Sequence, residues 1–233
     1  MLRSLMKELH GVMAEVISLL RFQAQLGVDG YPKEILSALP KGARPLEEIE
    51  KDALRCEQCR LCETRNKVVF GAGDPNANLM LVGEAPGAEE DKQGVPFVGR
   101  AGVLLTKILK SIQFEREEVY IANVLKCRPP ENRDPIPAEV EACEPFLIEQ
   151  IATIKPKIIC ALGAHAARTL LKLGPSTSIG SLRGIIHNYQ GVPLIATYHP
   201  AYLLRSPDKK RDTWEDVKFL RRLYERTMEQ ENS

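Results

Sequence analysis

Four of the six cysteines are spaced for ligation rather than for disulfides: Cys56-Glu57-Gln58-Cys59 early in the chain, then Cys127 and Cys143, which bracket Arg128-Pro129-Pro130. Thiolates drawn from three separate segments suit a centre that staples the N-terminal part of the chain onto a folded domain. Structural zinc usually draws on two tight pairs, so the dispersed set favours a 4Fe–4S cluster. Cys59 and Cys62 form a second C-x2-C, and spacing alone leaves open a quartet with Cys62 in place of Cys56. Cys160 lies in Ile158-Ile159-Cys160-Ala161-Leu162 and reads as a small buried side chain. Two further segments, Gly83-Glu84-Ala85-Pro86-Gly87 and His199-Pro200-Ala201-Tyr202-Leu203, add a carboxylate and an imidazole to the thiols and point to a substrate.

These groups need a scaffold, and the apolar runs supply one. Leu79 to Val82, Val119 to Leu125, Ile158 to Leu162 and Leu194 to Tyr198 are apolar on both faces, as strands of a parallel sheet covered on two sides are. Helical spacing predicts helices at about 101–113, 137–153, 164–172 and 213–229. Alternation of the two implies right-handed crossovers and an α/β fold: a three-layer α/β/α domain around a four-stranded, mainly parallel sheet. Ligands of such sheets bind beyond the carboxyl ends of the strands. Gly83 to Pro86, Asn123 to Arg128, Gly163-Ala164-His165 and His199-Pro200 all follow strands, so the site is expected there.

The chain of 233 residues is 44% hydrophobic, enough for one large domain. Residues 1–50 read as a helical extension and 51–233 as the main domain. Leu2, Leu5, Met6, Leu9, Met13, Val16, Leu19 and Leu20 describe an amphipathic helix within 1–27, ending at the breakers Gly27 to Pro32. Pro40 to Pro45 is a second breaker, after which Leu46-Glu47-Glu48-Ile49 starts a short helix toward Cys56. Lys7, Glu8, His10 and Glu15 interrupt the apolar residues of Met1 to Leu20, which argues against a membrane span or signal peptide. A cytoplasmic protein with reduced thiols is expected. With 32 basic against 31 acidic residues, no global charge announces nucleic acid, and any DNA surface must be local.

Five segments in a common order now carry a resemblance: Gly83-Glu84-Ala85-Pro86-Gly87; Glu90-Asp91; Gly94-Val95-Pro96-Phe97-Val98-Gly99-Arg100-Ala101-Gly102; Asn123-Val124-Leu125-Lys126-Cys127-Arg128-Pro129-Pro130; and His199-Pro200-Ala201-Tyr202-Leu203-Leu204-Arg205. Together they resemble the family 4 uracil-DNA glycosylases, iron–sulfur enzymes that remove uracil from DNA. The match covers roughly residues 53–227. It implies a 4Fe–4S cluster on Cys56, Cys59, Cys127 and Cys143, because the family's cysteine pair precedes an Arg and a Val-Val-Phe-Gly run, here Arg65 and Val68-Val69-Phe70-Gly71. Cys62 is then a spare.

The resemblance also implies roles in base excision. Asn123 would read O4 and N3–H of a flipped uracil, and Phe97, placed by Pro96 and Gly99 in an exposed loop, would stack on it. His199 would donate to O2, where negative charge builds as the glycosidic bond breaks. Other families of these glycosylases carry a water-positioning Asp at the position of Ala85, so Glu84 is the nearest acidic candidate, with Glu90 and Asp91 as further options. Backbone amides of Glu84, Ala85 and Pro86 would contact base or water. Arg205, Lys209, Lys210 and Arg211 would hold DNA phosphates from a loop broken by Pro207, with Leu203 and Leu204 as wedges and Arg128 and Arg133 contributing. The other histidines, His10, His165 and His187, have no comparable context. One relative traps the sugar through a His after the Asn-bearing strand; Cys127 to Pro137 contains none, which favours turnover by water. The expected partners are uracil-containing DNA and, through residues 1–50, a replication or repair protein; no membrane is expected, and the working form is a monomer. A noncatalytic iron–sulfur DNA-binding module of the same fold is the alternative.

Overall fold

The computed structural model describes residues 44–231. The amphipathic helix expected at 1–27, and the partner surface expected with it, lie outside them. A compact unit begins at Arg44. Its first element, α1 (Leu46–Leu54), belongs to the core rather than to an appendage, since Ile49 and Ala53 are buried in it.

The strands are β1 (Ala72–Gly73), β2 (Leu79–Gly83), β3 (Tyr120–Asn123), β4 (Ile158–Leu162), β5 (His187–Tyr189) and β6 (Val192–Thr197). They form one sheet in the order β1-β3-β2-β4-β6-β5. The four central strands are parallel and correspond to the four apolar runs; β1 and β5 add antiparallel edges, making six strands rather than four. The helices after α1 are α2 (Ala88–Gln93), α3 (Arg100–Ser111), α4 (Pro137–Ile154), α5 (Ala164–Leu171), α6 (Ile179–Leu182), α7 (Pro200–Arg205) and α8 (Lys210–Glu231). None among the described residues is long and apolar enough to cross a membrane.

Alternation along each strand builds two cores. Met80, Val82, Ala122, Ile159 and Ala161 pack with Ile49 of α1, Leu147 and Ile151 of α4, and Ala166 and Leu170 of α5. Leu79, Leu81, Ile121, Ile158, Cys160 and Ile195 pack with Leu105 and Leu109 of α3 and Val217 and Leu220 of α8. Each fully buried Leu or Ile contributes about 1.5–3 kcal/mol. Such burial on both faces is why these runs carry no polar alternation. Cys160 is part of the second core, and burial pushes its thiol up to about 12. This three-layer arrangement leaves the carboxyl ends of β2, β3, β4 and β6 to present the loops that carry chemistry.

Candidate active site

A pocket of about 380 Å³ opens at those ends, lined among others by Glu84, Ala85, Pro86, Glu90, Phe97, Asn123, Asp134, His199, Tyr202 and Arg205. All the residues expected to meet the base are therefore brought together. Asn123 ends β3, paired in register with Gly83 at the end of β2. It is 1% exposed, and its side-chain Oδ1 has no hydrogen-bond partner among the described residues. A buried acceptor left unpaired costs about 1–3 kcal/mol, so it marks a place where a ligand donor belongs. Gly83 makes room for it: a methyl there would overlap Asn123 Oδ1 and lie 2.7 Å from Phe97 Cζ. Gly83→Ala should therefore displace both side chains and lower the single-turnover rate of any reaction in this pocket on the order of 10²-fold, with circular dichroism showing a retained fold.

Phe97 is buried, not exposed as its Pro and Gly neighbours suggest, yet its ring forms a pocket wall 5.5 Å from the His199 ring. Its backbone is left-handed (φ 53°), a conformation costly for a bulky residue. Two contacts hold it. Glu90 Oε1 accepts the N–H groups of Val98 and Gly99, both at 2.9 Å, and Gly102 lets α3 approach the Phe97 carbonyl so closely that a methyl would collide with it. Glu90 is thus occupied in shaping the loop. Asp91 is buried and accepts the Asn66 N–H at 2.9 Å, which makes it structural.

His199 precedes α7 and caps it: its Nδ1 accepts the Ala201 N–H at 3.1 Å. That bond leaves the proton on Nε2 in the neutral ring. Burial, with Arg205 nearby, pulls the imidazole down to about 4, so the ring is a neutral donor at physiological pH. Glu84 follows β2, and burial pushes its carboxyl up; His165 opposes this, Asp134 reinforces it and Arg168 opposes it.

The residues expected on DNA are distributed along the rim. Arg205 lines the pocket and Leu204 is exposed, whereas Leu203 is 1% exposed and packs inward, which removes it as a wedge. Lys210 and Arg211 open α8 instead of lying in a loop, because the helix starts three residues earlier than its apolar spacing suggests. Lys209 Nζ sits 3.7 Å from Asp212 and 3.8 Å from Asp208. Arg133 is engaged by the first turn of α4, donating to Glu139 Oε2 at 2.9 Å and Oε1 at 2.5 Å, and Arg128 donates to Asn132 at 2.8 Å.

On the α1 and α4 side, Cys56, Cys59, Cys127 and Cys143 converge on one small pocket with Ala53, Leu61 and Phe146. Cys62 lies in the following turn and does not line it. Burial pushes the Cys143 thiol up to about 12 and raises Cys127 and Cys59 as well. Four thiolates in an apolar shell are stable only around a cation, and an all-sulfur set is the soft donor set of iron–sulfur centres and zinc. Two donors already point at sulfur: Arg65 Nη1 to Cys127 Sγ at 3.3 Å, and the Lys126 N–H to Cys143 Sγ at 3.1 Å. The residues fit the group. Lys126 joins this centre to the base pocket, its fully buried ammonium donating to Asn123 O at 2.7 Å and to Gln150 Oε1 at 2.5 Å.

Sequence reasoning missed this Lys126 bridge, the Glu90 clamp, the Asp134–His165 pair beside Glu84, and an aromatic stack. In that stack Tyr198 and Tyr202 lie 5.2 Å apart, with the Arg183 guanidinium 4.5 Å from the Tyr198 ring. Only the lysine carried a usable sign, a basic residue beside a ligand cysteine at the end of an apolar run.

A three-layer fold with an unpartnered carboxamide, a half-buried neutral imidazole and a four-cysteine cradle defines a class, and the family model of the uracil DNA glycosylase superfamily matches residues 70–223. The chain belongs to that superfamily and, within it, to the type-4 uracil-DNA glycosylases. It is 45% identical over 185 residues to the type-4 uracil-DNA glycosylase of Sulfurisphaera tokodaii, covering 76% of this chain and 84% of the relative. The type-4 enzyme of Thermotoga maritima is 46% identical over 175 residues, 74% of this chain and 91% of its own. A type-5 uracil-DNA glycosylase of Pyrobaculum aerophilum is 35% identical over 146 residues, 56% of this chain and 64% of its own.

Proposed function

We propose that this protein hydrolyses the N-glycosidic bond of deoxyuridine in DNA, releasing free uracil and leaving an abasic site for base-excision repair. The observation that carries this reading is the unpartnered Asn123 Oδ1 beside neutral His199 in one pocket. A flipped uracil offers N3–H to Oδ1 and O4 to the carboxamide N–H, while Phe97 covers the ring face. As the bond from C1′ to N1 breaks, its electron pair leaves with uracil and charge spreads to O2. The His199 Nε2–H is the donor that meets it. Glu84 holds the water that attacks C1′ and takes its proton, the part that Ala85 cannot play. Arg205, Lys209 and Lys210 contact phosphates, and Leu204 fills the space the base leaves. We propose a monomer as the working unit. Chromatography of a reacted uracil-containing oligonucleotide for free uracil tests this reading; an oligonucleotide bound with its uracil intact contradicts it.

Cys56, Cys59, Cys127 and Cys143 would hold a 4Fe–4S cluster, which when bound supplies structural cross-linking and no electron transfer, since hydrolysis moves no electrons. Iron-loaded Cys127→Ala should lose the brown absorbance and most of its bound iron, and its melting temperature should fall. Cys62→Ala should retain both iron and colour. The reverse pattern on iron analysis would overturn this choice of ligands.

A further inference from the structure

His165 Nε2 lies 4.0 Å from Glu84 Oε2 and 3.5 Å from Asp134 Oδ2. One imidazole, on the second residue of α5, therefore bridges the pocket carboxylate at the end of β2 and a carboxylate of the loop after Cys127. Glu84 and Asp134 both line the pocket. The side chains of His165 and Glu84 are 33% and 28% exposed, against 79% for Asp134, so the three form a path from the pocket to solvent.

We propose that His165 is a positioning residue for hydrolysis: its imidazolium keeps Glu84 ionised and aimed at the attacking water, and Asp134 is the opposing charge that sets how strongly it does so. This rests on the reading of Glu84 as the water-holding group. With Ala85 in place of a second acid, a protonated Glu84 would leave the water without a carboxylate. Burial pushes Glu84 toward that inactive form, and the charged groups facing it are His165 and Arg168 of α5 and Asp134. Arg168 is the less adaptable cation, since its guanidinium is held by the Ala164 and Pro175 carbonyls. During the reaction the C1′–N1 bond breaks as the bond from water oxygen to C1′ forms. The proton lost by water passes to Glu84 and on to solvent, and the departing uracil anion takes its proton from solvent.

The signs follow from the charges. Opposed by the Asp134 carboxylate, which favours protonated Glu84, the His165 cation favours the ionised form. Removing it makes Glu84 protonate at higher pH; removing the Asp134 charge does the opposite. The experiment measures single-turnover uracil release against pH for iron-loaded wild type, His165→Ala, His165→Lys and Asp134→Asn. In the free proteins, carboxyl-carbon NMR follows the Glu84 titration. Expected is an acid limb displaced upward in His165→Ala, with about tenfold slower excision on that limb. Wild-type behaviour should return in His165→Lys, and the limb should move downward in Asp134→Asn. An unmoved limb and NMR titration in His165→Ala, a uniform loss at all pH values, or displacement of both variants in the same direction overturns the proposal. Absence of uracil release from wild type would instead overturn the functional reading, while the NMR titrations still decide whether His165 governs Glu84.

Discussion

Asn123→Asp should slow single-turnover uracil release by about 10²–10³-fold while leaving the protein folded and bound to DNA. The carboxamide presents one acceptor and one donor, which together match N3–H and O4 of uracil. A carboxylate keeps acceptors only. When ionised it faces O4 with like charge, at a stage of the reaction when the base is itself becoming an anion. The fold loses little, because Oδ1 has no partner among the described residues and the backbone oxygen of Asn123 still accepts from Lys126. Rapid-quench kinetics with fluorescence anisotropy on the same oligonucleotide separate the chemical defect from binding. A variant that excises at the wild-type rate would remove Asn123 as the base reader.

His199→Ala should lower the rate by a similar factor of about 10²–10³, since it would delete the imidazole donor proposed for the charge that develops on O2. Its tautomer follows from the cap bond to Ala201, which occupies Nδ1. Burial holds the ring's pKa at about 4, so the required neutral form is lost only as pH falls through that value. An acid limb at higher pH must then belong to another group. His199→Gln retains a donor and should lower the plateau without displacing the limb, which a pH profile shows directly.

The central sheet was legible because Leu79 to Val82 and Ile158 to Leu162 are buried on both faces and admit no polar residue. The edge strands were not: β1 has two residues, and β5 is His187-Asn188-Tyr189, whose extended form comes from pairing with β6 rather than from its own side chains. The pocket residues from Glu84 to His199 were legible through strand ends and motif order. What escaped is tertiary. Nothing local predicts that His165 meets Glu84, that Lys126 spans from Gln150 to Asn123, or that Glu90 clamps the Phe97 loop. Phe97 shows the limit most clearly, since Pro96 and Gly99 do mark a loop but Gly83 and Gly102 let that loop fold inward.

Reaction of the iron-loaded protein with an oligonucleotide carrying a single deoxyuridine, followed by quantification of free base, tests the account most directly. The expected result is one uracil released per oligonucleotide, an alkali-labile site at that position, and no base released from matched oligonucleotides with cytosine in its place. Tight binding with the uracil still attached would contradict it and leave a DNA-binding module in place of an enzyme.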